Sequence, residues 1–236
     1  MIRLDKYLCD MGIGTRSSVK ELIRKGNIKV NDMVVKSSDY KIKDSDIVLL
    51  NDNQINYQKF YYYMLNKPAG YISATTDKKE KTVMDLLGEY NRKDLFPIGR
   101  LDKDTEGLLI LSNDGELSHN LLSPKKHVSK TYLVSLEVPI TDEDILNIEK
   151  GVDIGEDKLT LPTNIEKKND TELYISITEG KYHQVKRMFS AVGNKVVYLK
   201  RVAMGKLKLD DTLAPGELRP LSEQEINLLN ISNKEM

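Results

Sequence analysis

Along the first 35 residues the apolar positions change from a helical to an extended period. Leu4, Tyr7, Leu8 and Met11 recur three or four residues apart, which predicts one face of a helix, and Gly12 and Gly14 end that run. Thr15 stands where an N-cap is needed for a second helix, whose Val19, Leu22 and Ile23 would face inward until Gly26 closes it. Ile28 and Val30, then Met33-Val34-Val35, flank Asn31-Asp32, the pattern of a hairpin turn. The segment reads helix, turn, helix, turn, strand. On the second helix Arg16, Lys20 and Arg24 repeat at i, i+4 and i+8 and so share a face, a basic stripe suited to a phosphate backbone.

The polar stretch Asn51-Asp52-Asn53-Gln54 breaks the pattern and predicts a linker over 51–59 between a small domain, 1–50, and a larger one, 60–236. The larger domain opens on Phe60-Tyr61-Tyr62-Tyr63-Met64-Leu65, read as a half-buried strand in preference to a base-stacking platform, and then a Pro/Gly turn at Asn66-Lys67-Pro68-Ala69-Gly70. Further on, Gly99-Arg100-Leu101-Asp102-Lys103-Asp104-Thr105-Glu106-Gly107 runs straight into Leu108-Leu109-Ile110-Leu111. A carboxylate on a glycine-bounded loop beside a guanidinium is a candidate nucleophile or general base.

Composition narrows the class. The chain has 236 residues, 39% hydrophobic and 31% charged, enough for a packed core in a soluble protein. No run of eighteen apolar residues predicts a membrane span, and the start lacks the apolar core of a secretion signal. The single Cys9 cannot form an internal disulfide, which suits a reducing cytoplasm; its helical context favours a small buried hydrophobe over a catalytic thiol. Net charge is zero but unevenly spread. Residues 1–36 carry eight Lys/Arg against four acids (+4), 181–208 carry eight and no acid (+8), and 137–179 carry four against twelve (−8). Two basic segments balanced by an acidic one point to a side that faces a polyanion, and nucleic acid is the expected partner.

Arg3-Leu4-Asp5-Lys6-Tyr7-Leu8, Gly12, Arg16, Leu22-Ile23, Gly26 and Ile28-Lys29-Val30-Asn31 resemble the small RNA-binding domain named after ribosomal small-subunit protein four (S4). Asp32 stands where glycine is commonest in that family. The resemblance implies binding of structured RNA through shape and phosphates. It makes Arg3, Lys6, Arg16, Lys20, Arg24 and Lys25 RNA-binding candidates.

The larger domain resembles, block by block, the RsuA-type pseudouridine synthases of small-subunit ribosomal RNA. The matching blocks are Leu65-Asn66-Lys67-Pro68 with Gly70-Tyr71; Gly99-Arg100-Leu101-Asp102 with Thr105 and Gly107-Leu108; Lys130-Thr131-Tyr132; Glu179-Gly180-Lys181-Tyr182-His183-Gln184-Val185-Lys186-Arg187-Met188; and Leu213 to Leu221. The resemblance implies an α+β protein: the S4-like α/β domain, then a catalytic domain with a mixed, largely antiparallel sheet. It also implies a reaction that cleaves the N1–C1′ bond of a uridine, rotates the base and rejoins it through C5. Neither cofactor nor metal is needed for that isomerisation.

By the same resemblance Asp102 is the catalytic aspartate, attacking either ribose C1′ or the uracil ring. Tyr132 stacks on the base and takes part in proton removal from C5. Lys186 is the basic partner of the aspartate, although Arg187 follows it immediately and could hold that place. Arg100, Lys181 and Arg187 are the RNA-binding candidates of this domain. Arg100 fills the gap left by an extruded nucleotide or grips a phosphate, the competing reading being an ion pair with Asp104 or Glu106. Thr105 is expected to tie the loop through its hydroxyl, and Gly107 to let the turn form. In Lys206-Leu207-Lys208-Leu209, core packing is favoured for either leucine over a place under the uracil.

Other chemistries fit less well. His119, His127 and His183 lack cysteine partners and zinc-site spacing, no GK[ST] follows Gly99–Gly107, and no serine or cysteine elbow accompanies Asp102. The expectation is therefore a cytoplasmic, monomeric enzyme converting a uridine to pseudouridine in 16S rRNA, free or in a partly assembled small subunit. The alternatives are a synthase for 23S rRNA and a non-catalytic RNA-binding or assembly factor.

Overall fold

The computed structural model describes residues 1–55 and 57–229. The chain divides into two compact units, Met1–Phe60 and Tyr61–Met236.

The first unit runs β1 (Ile2–Arg3), α1 (Leu4–Asp10), α2 (Arg16–Arg24), β2 (Ile28–Val30), β3 (Met33–Val34), β4 (Lys41–Ile42), β5 (Val48–Leu50) and β6 (Asn53–Ile55). Thr15 caps α2 by accepting the Ser18 amide, and Val19 and Ile23 are buried against Leu4, Tyr7 and Leu8, with Leu22 half-buried. Cys9 lies half-buried at the margin of this core, and burial pushes its thiol up. Strands pair in the order β3-β2-β5-β6, all antiparallel. The β2–β3 turn holds Asn31 and Asp32 at φ +49° and +66°, so Asp32 takes the left-handed conformation that a two-residue hairpin demands.

Asn51 and Asp52 repeat that geometry at φ +48° and +67°. The polar stretch expected to begin a linker is instead the turn of a second hairpin, and Asn53–Ile55 pair with β5. Its polarity reflects the turn, whose Asp52 carboxylate meets Lys29 and whose Asn51 accepts from Asn27. Hairpin turns and linkers share the same residue types, which is why composition alone misplaced this segment.

The second unit runs β7 (Tyr62–Lys67), β8 (Phe96–Ile98), β9 (Glu106–Ser112), α3 (Gly115–Leu122), β10 (Lys130–Leu136), α4 (Asp142–Lys150), β11 (Asn164–Lys167), β12 (Glu172–Ile177), α5 (Gln184–Ala191), β13 (Val196–Met204), β14 (Leu207–Lys208), β15 (Leu218–Pro220) and α6 (Glu223–Leu229). Its sheet has the order β11-β12-β10-β13-β9-β7-β15, with β14 beside β13 and β8 beside β9. Every pairing is antiparallel except β13 with β9. The sheet is thus mixed and largely antiparallel.

Strand β9 is apolar on both sides because both faces are covered. Leu109 and Leu111 join the core that includes Val185, Met188 and Phe189 around α5, while Leu108 and Ile110 join Leu117 and Leu121 of α3. The second half of the aromatic run is strand, from Tyr62, with Phe60 and Tyr61 ahead of it: Tyr63 is buried in the first of these cores, and the Tyr62 hydroxyl donates to Asp114.

The register of the central strands positions the site. Ile175, Tyr132, Arg201 and Gly107 are successive partners across β12, β10, β13 and β9. That row places Tyr132 level with the start of β9, one strand away across β13, and the entry loop of β9 carries Asp102.

Candidate active site

Asp102 sits on the loop between β8 and β9, and that loop is fixed from beneath by Lys67. The Lys67 side chain is fully buried and its ammonium donates to the carbonyls of Pro68 (3.0 Å), Asp102 (3.1 Å), Lys103 (3.3 Å) and Thr105 (2.8 Å). Burial lowers its pKa to about 8, partly offset by Asp104, Asp102 and Glu106. The Thr105 amide closes the turn on the Asp102 carbonyl, and the Gly70 amide donates to Lys103. The loop ends at Gly107, φ +99°, where a Cβ would lie 2.2 Å from the Arg201 carbonyl oxygen. Glycine is needed there for the close approach of β13 as well as for the backbone angle.

The connection from β12 into α5 closes over this loop. Lys186, in the first turn of α5, places Nζ 3.4 Å from Asp102 Oδ2 and 2.6 Å from Asp104 Oδ1. His183 Nε2 lies 3.5 Å from Asp102 Oδ1. The Lys186 hydrogen bond holds the Asp104 carboxyl below its ordinary pKa. Asp102 is therefore flanked by two nitrogen bases, one on each oxygen. The cleft in front of it is lined by Arg100, Leu101, Thr105, Tyr132, Ile177, Gly180, Lys181, His183, Val185 and Leu199. One wall is apolar and one is cationic, which suits a flat, neutral heterocycle attached to a polyanion.

The predicted residues divide. Asp102, Tyr132, Lys186, Arg100 and Lys181 converge on this cleft. Arg187 does not: its guanidinium pairs with Glu156 and donates to the carbonyls of Tyr182 and Ile154. Helix geometry explains the separation, because adjacent residues point about 100° apart and only Lys186 faces the loop. Lys181 is held within the chain, its ammonium 3.6 Å from Glu179 and near the carbonyls of Lys158 and Leu159. Arg100 is exposed and makes no ion pair with Asp104 or Glu106, which are engaged by Lys186 and by the Tyr198 hydroxyl. Burial and the Glu106 carboxylate push Tyr198 up to about 12.

In the first unit Arg16, Lys20 and Arg24 are exposed on α2 and carry no ion pair among the described residues. Arg3 forks onto Asp5, Lys6 approaches Asp10 at 3.7 Å, and Lys25 pairs with Glu21.

One expectation is corrected. The Thr105 hydroxyl, 1% exposed as a residue, has no hydrogen-bond partner among the described residues, so the loop is tied by the Thr105 backbone instead. Leu207 and Leu209 take the core role favoured for them, on the α3 side of the sheet, and the apolar floor of the cleft comes from Leu199, Val185 and Ile177. Sequence reasoning also missed two neighbours of the carboxylate. Lys67 carried a signal, a lone lysine ending an apolar strand just before a Pro/Gly turn. The approach of His183 to Asp102 carried none, because it depends on how a loop folds over another 80 residues away.

Comparison with known proteins agrees with this geometry. The sequence profile of RNA pseudouridylate synthase matches residues 61–191, and that of the S4 domain matches residues 2–48. The chain is 50% identical to an uncharacterized RNA pseudouridine synthase of Bacillus subtilis, over 97% of this chain and 98% of that one. It is 43% identical to ribosomal small subunit pseudouridine synthase A of Vibrio cholerae and 41% identical to that of Escherichia coli, in each case over 95% of this chain and 98% of the relative. A crystal structure of a pseudouridylate synthase superposes with a TM-score of 0.70 at 38% identity, over 97% of this chain and all of that one. The likeness runs through both units, and on that footing the chain belongs to the family of RNA pseudouridylate synthases, as a member with an S4 domain ahead of its synthase unit.

Proposed function

We propose that this synthase converts a specific uridine of 16S rRNA to pseudouridine, using Asp102 as its nucleophile. The observation that carries the reading is the Asp102 carboxylate held between Lys186 and His183 at the mouth of a cleft walled by Tyr132. The small-subunit assignment is supported by relatives of that name in Vibrio cholerae and Escherichia coli, aligned over nearly the whole of both chains.

The target base must leave its stack to reach the cleft. Arg100, exposed at the rim, grips a neighbouring phosphate or fills the vacated space. An Asp102 oxygen then bonds to a carbon of the nucleoside, the N1–C1′ bond breaks, the ring turns, C5 bonds to C1′, and the bond to Asp102 breaks to free the carboxylate. The C5 proton is lost and N1 gains one, so product and substrate have the same atoms. Tyr132, buried in the cleft wall, stacks on the uracil and takes part in moving the C5 proton. Lys186 orients the carboxylate and balances its charge. In the first unit, the Arg16, Lys20 and Arg24 stripe on α2 engages RNA phosphates. The reaction belongs in the cytoplasm, a compartment that the lone Cys9 suits.

The test is carbodiimide-based pseudouridine mapping of both large rRNAs in cells lacking the protein, complemented with wild type or Asp102→Ala. One 16S position should lose its pseudouridine, regain it with wild type and fail to regain it with the variant. Loss at a 23S position overturns the substrate assignment, and rescue by Asp102→Ala overturns the nucleophile.

A further inference from the structure

We infer that Tyr182, seated on His183, is a stacking platform for a nucleobase of the RNA that flanks the extruded uridine; the inference deepens the proposed function and rests on its RNA substrate. Tyr182 is 72% exposed, the most exposed aromatic side chain among the described residues. Its ring lies parallel to the His183 imidazole, with centroids 3.8 Å apart and planes at 19°. One face is thus covered by His183, and the exposure belongs to the other face and the edges. His183 in turn lines the active cleft, 3.5 Å from the Asp102 carboxylate. A base laid on Tyr182 would continue a stack that begins at the nucleophile's own neighbour.

The presentation is built. His183 has φ +47°, a left-handed conformation that a non-glycine residue keeps only when its surroundings enforce it. The enforcement is visible on both sides of Tyr182. Its carbonyl accepts from Arg187 Nη1 at 3.0 Å, and that guanidinium is itself anchored on Glu156 and on the Ile154 carbonyl. The Lys181 amide donates to Gln184 Oε1, and Gln184 Nε2 donates to Glu179. A braced, strained turn that ends by holding an aromatic ring in water has its ring pre-positioned for a partner.

The chemistry of that partner follows from the surroundings. Exposed Arg100 lines the same cleft as His183, and the proposed substrate is RNA, so the ligand is polyanionic. A polyanion with flat π-faces at regular spacing is a nucleic acid, and aromatic stacking accepts any base. Tyr182 therefore adds affinity next to the target without reading sequence.

The test uses the full chain and a 16S rRNA transcript carrying 5-iodouridine, which couples to stacked aromatic side chains under long-wavelength light, with pseudouridine formation scored on the unmodified transcript, whose C5 carries its proton. Mass spectrometry should place an RNA adduct on Tyr182, retained in Asp102→Asn. In turnover, Tyr182→Ala should raise KM roughly 5- to 100-fold with much less effect on kcat, while Tyr182→Phe stays within about twofold of wild type. The slope of affinity against salt should not change, since no phosphate contact is lost. Should Tyr182→Ala fail to fold, the wild-type adduct and the Phe variant still decide. Pseudouridine formed without an adduct on Tyr182 overturns the platform alone, as does a Phe variant as weak as Ala. An adduct on Tyr182 without pseudouridine overturns the substrate assignment and leaves the platform standing.

Discussion

Replacing Lys67 by methionine tests whether the Asp102 loop is held by a buried cation. The substitution keeps the length of the stem and removes the donors that meet four carbonyls, three of them on the loop itself. An ammonium has three hydrogens, so about three bonds are lost, and each carbonyl left buried without a partner costs about 1–3 kcal/mol. Relief of the buried charge offsets part of that sum. A net loss of about 2–4 kcal/mol is expected, or roughly 5–15 °C in the melting temperature of the synthase unit. The larger effect falls on turnover, because a displacement of about 1 Å at the nucleophile costs around 100-fold. Calorimetry and single-turnover assays on 16S rRNA measure the two effects. Wild-type turnover in Lys67→Met would refute the reasoning.

The same residue gives a pH signature in the wild type. The folded pKa of about 8 lies below the ordinary 10.5, so between those values the unfolded chain binds the extra proton and this group's contribution to stability rises with pH. The neutral amine keeps only two donors for four carbonyls, so turnover should fall as pH rises through about 8 while stability does not. A parallel loss of both would point to another group.

Gly107→Ala should destabilise the synthase unit by about 3 kcal/mol or more in urea unfolding, because its Cβ would overlap the Arg201 carbonyl oxygen at 2.2 Å; an unchanged midpoint would mean β13 and β9 separate freely. Thr212 and then Arg219 hold the Asp210 carboxyl down to about 2, and Arg219 holds Glu225 down to about 2, so stability from this cluster is complete above the ordinary carboxylate range and is lost as pH falls from about 5 toward 2. In Arg219→Ala that acid-side decline should flatten, measured as urea midpoint against pH. Replacing Arg16, Lys20 and Arg24 together by alanine should lower RNA affinity and reduce the slope of log affinity against log salt by roughly 2–3, whereas an unchanged slope removes α2 from the phosphate contacts.

Some of this molecule was legible one segment at a time. The helical spacing of Leu4, Tyr7 and Leu8, the cap at Thr15 and the turn at Asn31-Asp32 all appear as read, because each depends on neighbours a few residues away. The same local rules failed at Asn51–Gln54, where turn residues served a hairpin. The cleft floor was not legible in them either: Leu199 faces the cleft, while Leu207 and Leu209 pack in the core as favoured, on the α3 side of the sheet. A leucine's face is set by strand register, and β13 carries an irregularity opposite Thr131/Tyr132 that local sequence does not announce.

By itself the sequence determined the kind of residue available: a carboxylate on a glycine-bounded loop, an aromatic in a strand, a basic block without acids. Only the tertiary structure decided which of them meet. The parallel pairing of β13 with β9 carries Tyr132 to the Asp102 loop. The first turn of α5 chose Lys186 over Arg187 for the carboxylate, since a 100° rotation separates adjacent helical side chains. Burial turned Lys67 from an ordinary surface type into the clamp beneath the loop, because a desolvated ammonium must find carbonyls and those of residues 102, 103 and 105 were the ones in reach.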